Sequence, residues 1–521
     1  MRINYIMKTI MNRRMKKGWM LVVLSLVMWS CDLEIEGTDS VILPEEQGTF
    51  NGVADVNGSI NNLYNDIQGW TNDQANLYAL QTVSTDELLV PTRGTDWGDN
   101  GVWRVLHQHT WTPTHDYVRN VWNNHNGAIL RASEVIDPLS GADNSQLALA
   151  RFARAWNMRI ILDFYGQVPF RNPTDDASTT PTVLTPQEAY DLIVEDFSFA
   201  ASNLPTRADK FRPDQATAQF FLAKTILNAE VYTGTAGNFN EVITLVDAIE
   251  AAGYGFDGSL GYFELFMPGN IGNSEIIWSA NTGTANRFWN GLHYNQIHTG
   301  NDGGGWNGFT TLAETFDAFE GPANDNSVGA GQEERRGFTQ TAATANADNQ
   351  GFGFGFQLGQ MYNADGQAIN DRQGNPLAFT RELPGLVGNN ERTGIRVTKY
   401  SPAIDAFYNG VVMARWSDAY LMRAEARLRG GGNVTAEVNA LRALRGAADL
   451  PSVGESELLA ERLRELYTEG YRREDMIRFG EFTRDWEFKE SASVGDETKN
   501  LYPIPSDAIL SNPNLVQNPG Y

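Results

Sequence analysis

Two glycine-rich stretches hold the residues best suited to gripping a ligand. The first runs from Asp86 to Gly101 and sets Arg93, Asp96 and Trp97 close together, with Trp103 and Trp111 following. The second holds Arg287, Phe288, Trp289, Tyr294, Asp302 and Trp306, the last flanked by Gly303-Gly304-Gly305 and Asn307-Gly308. A flat aromatic ring beside a carboxylate and a guanidinium suits a sugar: the C–H faces stack on the ring, while hydroxyls donate to Asp and accept from Arg. Arg93, Asp96, Trp97, Trp289, Tyr294, Asp302 and Trp306 are therefore the candidate glycan-binding residues. An aromatic ring with glycine neighbours has little side chain to cover it, so Trp97, Trp289 and Trp306 are expected in the open. Trp278, between Ile277 and Ser279, is expected in the core; Trp103 and Trp111 fit either place.

Rival chemistries fare worse. A glycoside hydrolase needs two carboxyl groups about 5 to 9.5 Å apart, and the adjacent pairs Asp86-Glu87 and Glu474-Asp475 would point apart on a strand or helix. His107 and His109, or His293 and His298, lack the helical spacing and glutamate of a zinc protease. Gly351, Gly353 and Gly355 alternate with phenylalanines and open no helix, so there is no dinucleotide fingerprint. No cofactor and no metal are expected. A formal charge of -24 argues against nucleic acid or an anionic lipid surface, leaving a neutral ligand as the best match.

The elements that must position these loops are mostly helical. Val118, Val121, Trp122, Ile129 and Val135 recur at helical spacing, and Phe152, Trp156, Ile160 and Phe164 form a stripe at intervals of four that ends at Gly166 and Pro169. Weaker patterns cover 53–70 and 73–84, and clearer ones 186–202, 214–232, 239–252, 434–445 and 457–468, with another helix starting at Trp416 and carrying a Glu425–Arg429 pair. This pairing suits an irregular helical-repeat stack without a fixed period. From about 253 to 400 the pattern breaks into Gly, Asn and Thr, with Glu275 to Ser279 as a short strand; so long a stretch is an irregular subdomain or functional.

The N-terminus carries an address. Arg2, Lys8, Arg13, Arg14, Lys16 and Lys17 precede an apolar run from Trp19 to Trp29, a pattern that reads as a signal peptide over 1–30. Cys31, the chain's only cysteine, then stands where a lipoprotein signal peptidase would leave it as the new N-terminus, the lipidation site. Residues 31–48 read as the tether, and two or more acyl chains would hold the protein firmly to a membrane.

Near the C-terminus the residues become specific. Arg462-Leu463-Arg464-Glu465-Leu466, Glu469 to Gly480, Leu501-Tyr502-Pro503-Ile504-Pro505 and Asn512 to Tyr521 resemble the signature of the SusD/RagB family of surface nutrient-binding lipoproteins. The likeness extends through Ser417 to Ala426, Arg154-Ala155-Trp156, Tyr165 to Pro169 and the Thr85 to Trp103 loop, hence over nearly all of 49–521; Met28-Trp29 and Phe479 depart from the pattern. The resemblance implies a mainly α fold of tetratricopeptide-like helix pairs with a loop-rich lobe. It also implies an outer-membrane lipoprotein that faces the exterior, binds oligosaccharide or polysaccharide without cleaving it, and delivers it to a SusC-like TonB-dependent transporter. Arg473, Asp475 and Arg478 of the signature are expected to be structural ion pairs. The alternatives left open are a glycoside hydrolase and a helical scaffold that binds only protein.

Overall fold

A computed structural model describes residues 50–176, 178–281, 286–297, 303–400 and 410–521. The core is helical. Helix Asp116–Ile136 packs on Asn144–Tyr165, which packs on Pro186–Asn203; Gln215–Leu227 and Phe239–Ala251 follow, each against its predecessor, and Phe239–Ala251 also meets Trp416–Arg429. Local chemistry sets the ends. Asp143 and Gln146 form a reciprocal capping box at 2.9 Å in both directions, and Gly166 closes the same helix in the left-handed region at φ 69.

The stripe Phe152, Trp156, Ile160 and Phe164 is buried, as its spacing predicts, but so are Arg154, Asn157, Arg159 and Asp163 of the same helix. Neighbours enclose this helix, so its polar side is inside too. Trp278 is in the core as expected, its ring perpendicular to Phe152 at 5.4 Å. Each such buried aromatic contributes on the order of 2 kcal/mol. The helix expected over 214–232 is interrupted at Asn228, where Gln215–Leu227 ends and Ala229–Thr233 begins; the Asn228 side chain donates to the Lys224 carbonyl at 2.8 Å and to Glu474.

The loop-rich insertion leaves and rejoins the helical body at one ladder: strand Ile276–Asn281 runs antiparallel to Gly410–Arg415, pairing Ile276 with Arg415 and Asn281 with Gly410. Inside the insertion, Gly337–Phe338, Phe354–Gln357 and Arg396–Thr398 make a three-stranded antiparallel sheet.

Buried charge ties neck, insertion and C-terminus together. Glu465, from helix Glu455–Leu466, accepts from Arg415 at 2.7 Å, Arg445 at 3.1 Å and Arg335 at 3.3 Å; one turn earlier Glu461 binds Arg335, Arg442 and Arg464. Arg415 also reaches Glu469, and Arg445 reaches Glu275. Each partner leaves water, so the network is sound only because every carboxylate is matched by several donors.

Glu87 is a contrasting case. One oxygen accepts from the Thr468 backbone N–H at 3.0 Å, while the other is buried without a hydrogen-bond partner among the described residues. Burial dominates and pushes its carboxyl from 4.5 up to about 8. The folded protein thus keeps a proton that the unfolded chain releases, so this residue lowers stability as pH rises from 4.5 towards about 8. Glu87→Gln retains the acceptor for Thr468 and removes the ionisation. Its thermal midpoint should exceed that of the native chain at pH 8 and match it near pH 4.5; equal differences at both pH values would show that Glu87 does not titrate this way.

Candidate functional site

Of the described tryptophans, only Trp70, Trp97 and Trp306 escape burial, and two of these three are joined. The Trp97 indole N–H donates to the Trp306 carbonyl at 2.8 Å. Trp97 leaves a tight hairpin in which Arg93 and Asp96 exchange backbone hydrogen bonds of 3.0 and 2.9 Å. Its φ of 60 is left-handed, a conformation that costs a non-glycine residue about 1–2 kcal/mol. The indole bond and an edge contact with Trp103 at 5.9 Å hold it there. Trp103 and Trp111 themselves are buried.

The glycines beside Trp306 do not leave that segment bare. A Cβ at Gly304 would stand 1.7 Å from the Tyr294 carbonyl, and one at Gly305 2.2 Å from that of Leu292. Without side chains the strand-like run lies flat against 289–294: Trp306 N–H donates to Trp289 O at 2.8 Å, Gly305 to His293 at 3.0 Å and Asn307 to Leu292 at 2.7 Å. Trp306 is therefore half-buried on a small cluster of Trp289, Leu292 and Phe352.

That packing corrects two expectations. Trp289, expected in the open, is only 5% exposed, because it supports Trp306 from beneath. Arg93, expected to face a ligand, is 2% exposed; its Nη1 donates to the carbonyls of Asn390 at 3.1 Å and Thr393 at 2.7 Å and so holds the 390–393 turn under the hairpin. Burial pulls this guanidinium below its usual range, with Tyr294 and Glu391 offsetting part of the effect. Asp302 and Cys31 lie outside the described residues.

Asp96 and Tyr294 do come together, around a residue that sequence spacing did not single out. The Tyr294 hydroxyl donates to Asp96 at 2.8 Å, and the Arg372 guanidinium lies 3.8 Å from the Tyr294 ring centre while donating to both Asp96 and Glu391. The Arg372 and Asp96 side chains are 46% and 32% exposed, so a ligand can reach both. His293 completes the support: its Nδ1 accepts from the Asn295 N–H at 3.0 Å, which leaves Nε2 to donate to Glu391 at 2.9 Å. Burial alone would push Asp96 up, but hydrogen bonds from Tyr294 and Arg372 outweigh it and hold the carboxyl below its ordinary range. Glu391 is likewise held low, burial being overcome by the backbone N–H and guanidinium of Arg372 and by His293. The result is an aromatic platform, Trp306 with Trp97, beside a pinned donor and acceptor, Arg372 and Asp96. Arg372 and Glu391 sit in turn-rich segments without periodicity, so only their composition marks them.

The family model described as the SusD family matches residues 274–521, and a second, described as starch-binding associating with outer membrane, matches 44–227. This chain belongs to the SusD/RagB family. It is 25% identical to the starch-binding protein SusD of Bacteroides thetaiotaomicron, over 99% of this chain and 100% of that protein. Its fold is that of a SusD-like protein from Bacteroides fragilis, with TM-score 0.69 and 19% identity over 91% of this chain and 98% of that one. A laminarin-binding SusD-like protein aligns with TM-score 0.62 and 19% identity over 90% and 100%.

The SusD/RagB signature residues are structural here, as expected. Arg473 pairs with Asp163 at 2.7 Å, Asp475 with Arg462 at 2.8 Å, and Arg478 with both Glu425 at 2.6 Å and Asp475 at 2.7 Å. The carboxylate pairs considered for hydrolysis are likewise engaged: Asp86 is clamped by Arg472 and Arg484, and Glu474 by Arg159. Among the described residues no group of His, Cys, Asp and Glu is placed to hold a metal ion.

Proposed function

We propose that this chain captures neutral oligosaccharide or polysaccharide outside the cell and delivers it to a SusC-like TonB-dependent transporter without cleaving it. The observation that carries the proposal is the joining of two half-exposed indoles, Trp97 and Trp306, beside the Asp96–Arg372 pair. A sugar ring stacked on Trp306 would find an acceptor in Asp96 and a donor in Arg372. The names of the starch-binding relative and the laminarin-binding neighbour support the same ligand class. Affinity of about -4 to -8 kcal/mol, millimolar to micromolar, is enough to concentrate a polymer and still release it.

Capture without cleavage agrees with the electrostatics of the platform. A glycosidase acid needs a carboxyl held above its usual range, whereas Asp96 and Glu391 are both held below it. Acylation of Cys31 and cleavage of the preceding peptide would place the protein on the outer membrane, facing the exterior, in keeping with the family description. Retention on immobilised starch, laminarin and inulin tests the proposal. Binding without release of reducing ends is the expected result; release of reducing ends would mean hydrolysis, and no retention on any of the three would leave a scaffold that binds protein.

A further inference from the structure

The alternation of glycine and phenylalanine from Gly351 to Phe356 has no place in the platform beyond Phe352, and the structure gives it other work. Strand Gly337–Phe338 pairs with Phe354–Gln357 so that Gly337 stands opposite Gly355 and Phe338 opposite Phe354. A Cβ on Gly337 would lie 2.0 Å from the Phe354 carbonyl, and one on Gly355 2.4 Å from that of Arg336. Only glycine permits this approach, and it brings the two rings to 5.9 Å, edge on. Phe263, from the turn before the neck strand, stacks on Phe354 at 5.1 Å with the ring planes 24° apart.

These three rings line a cleft of about 450 Å³ in the surface of the insertion, within the roughly 300–1,000 Å³ of small-ligand sites. Phe338 and Phe354 are half-exposed. The polar groups around them are acidic or neutral, and no Lys or Arg is among the lining residues. Glu264 is exposed and makes no ion pair among the described residues. Gln332 donates to the carbonyls of Ser327 and Gly337 at 3.1 and 3.0 Å, while its own amide oxygen is buried without a hydrogen-bond partner among the described residues. The lining thus offers apolar ring surface and a free carboxylate, and nothing to neutralise an anion.

We infer that this cleft is a second carbohydrate site, taking a neutral sugar unit whose hydroxyls donate to Glu264 while its C–H face rests on Phe338 and Phe354. The inference rests on the proposal that the chain binds glycans, and it adds a second contact point on the same polymer. Two weak sites on one chain raise retention without raising the affinity of either. Because no tryptophan lines the cleft, its occupancy should leave indole fluorescence unchanged, whereas the platform carries two indoles.

The test compares Phe338→Ala, Glu264→Ala and Trp306→Ala on immobilised starch, laminarin and inulin. Each cleft variant is expected to weaken retention about tenfold while the quenching of indole fluorescence by short oligosaccharides of the retained polymer is preserved. Combining Phe338→Ala with Trp306→Ala should remove what either leaves. Retention by both cleft variants equal to that of the native chain, with loss in Trp306→Ala, would overturn the cleft and leave the platform standing. Loss in the cleft variants with full retention by Trp306→Ala would overturn the platform instead. Glu264 is exposed, so its variant decides the matter even if Phe338→Ala folds poorly.

Discussion

Glu465→Ala should cost more stability than any single change to the binding platform. The Glu465 carboxylate is buried and meets Arg415, Arg445 and Arg335 at 2.7, 3.1 and 3.3 Å. Burial would push it up, but the three guanidinium groups outweigh that and hold it well below its usual range. Removing it leaves three buried cations sharing Glu275, Glu461, Glu469 and Glu333, and breaking one buried pair alone costs about 3–5 kcal/mol. The loss should appear as a lower midpoint in chemical denaturation, with Glu465→Gln falling in between because it keeps an acceptor for Arg415. The pH dependence has a definite sign. Since the folded value lies below the unfolded one, the stabilisation is full above about 4.5 and disappears only as pH falls through the lowered value. A midpoint unchanged in Glu465→Ala would mean that the network contributes nothing to holding insertion and body together.

Trp306→Ala is expected to have the largest effect on binding and a small one on folding. Its ring is the half-exposed member of the cluster with Trp289, Leu292 and Phe352, and its backbone bonds to Trp289 and Trp97 do not depend on the side chain. Loss of a stacked ring should weaken retention on the preferred polysaccharide about tenfold or more, the equivalent of about 1.4 kcal/mol. The unfolding midpoint should fall much less than in a variant of Trp289, which lies beneath and is buried. If Trp306→Ala instead unfolds as readily as a Trp289 variant, the ring is a core residue; if it binds as well as the native chain, the ligand sits elsewhere. Trp97→Ala removes the indole that holds the Trp306 carbonyl, so its effect should come through looser placement of the platform.

Much of the helical body was legible because periodicity records burial directly. The stripe from Phe152 to Phe164, the stop at Gly166 and the Glu425–Arg429 pair, at 2.9 Å, all stand where spacing puts them. The interruption at Asn228 was not legible, since the Glu474 that its side chain meets arrives from the far end of the chain. In the binding loops the same logic fails in both directions. Glycines around Trp306 suggest an uncovered ring, yet they serve to let two backbones touch, and that contact buries Trp289. Arg93 has the right chemistry for a ligand, but its burial against the 390–393 turn spends that chemistry on carbonyls.

By itself the sequence determined the family, the helical core and the class of residue to look for, because aromatic and charged types in glycine-rich loops and the C-terminal signature are local properties of the chain. Only the tertiary structure decided which of those residues face outward. The Asp96–Tyr294–Arg372–Glu391 group is assembled from segments far apart in sequence, and the buried guanidinium groups of Arg93 and Arg415 are explained only by the carbonyls and carboxylates that folding brings to them. Exposure and pairing are relations between segments, and no spacing within one segment encodes them.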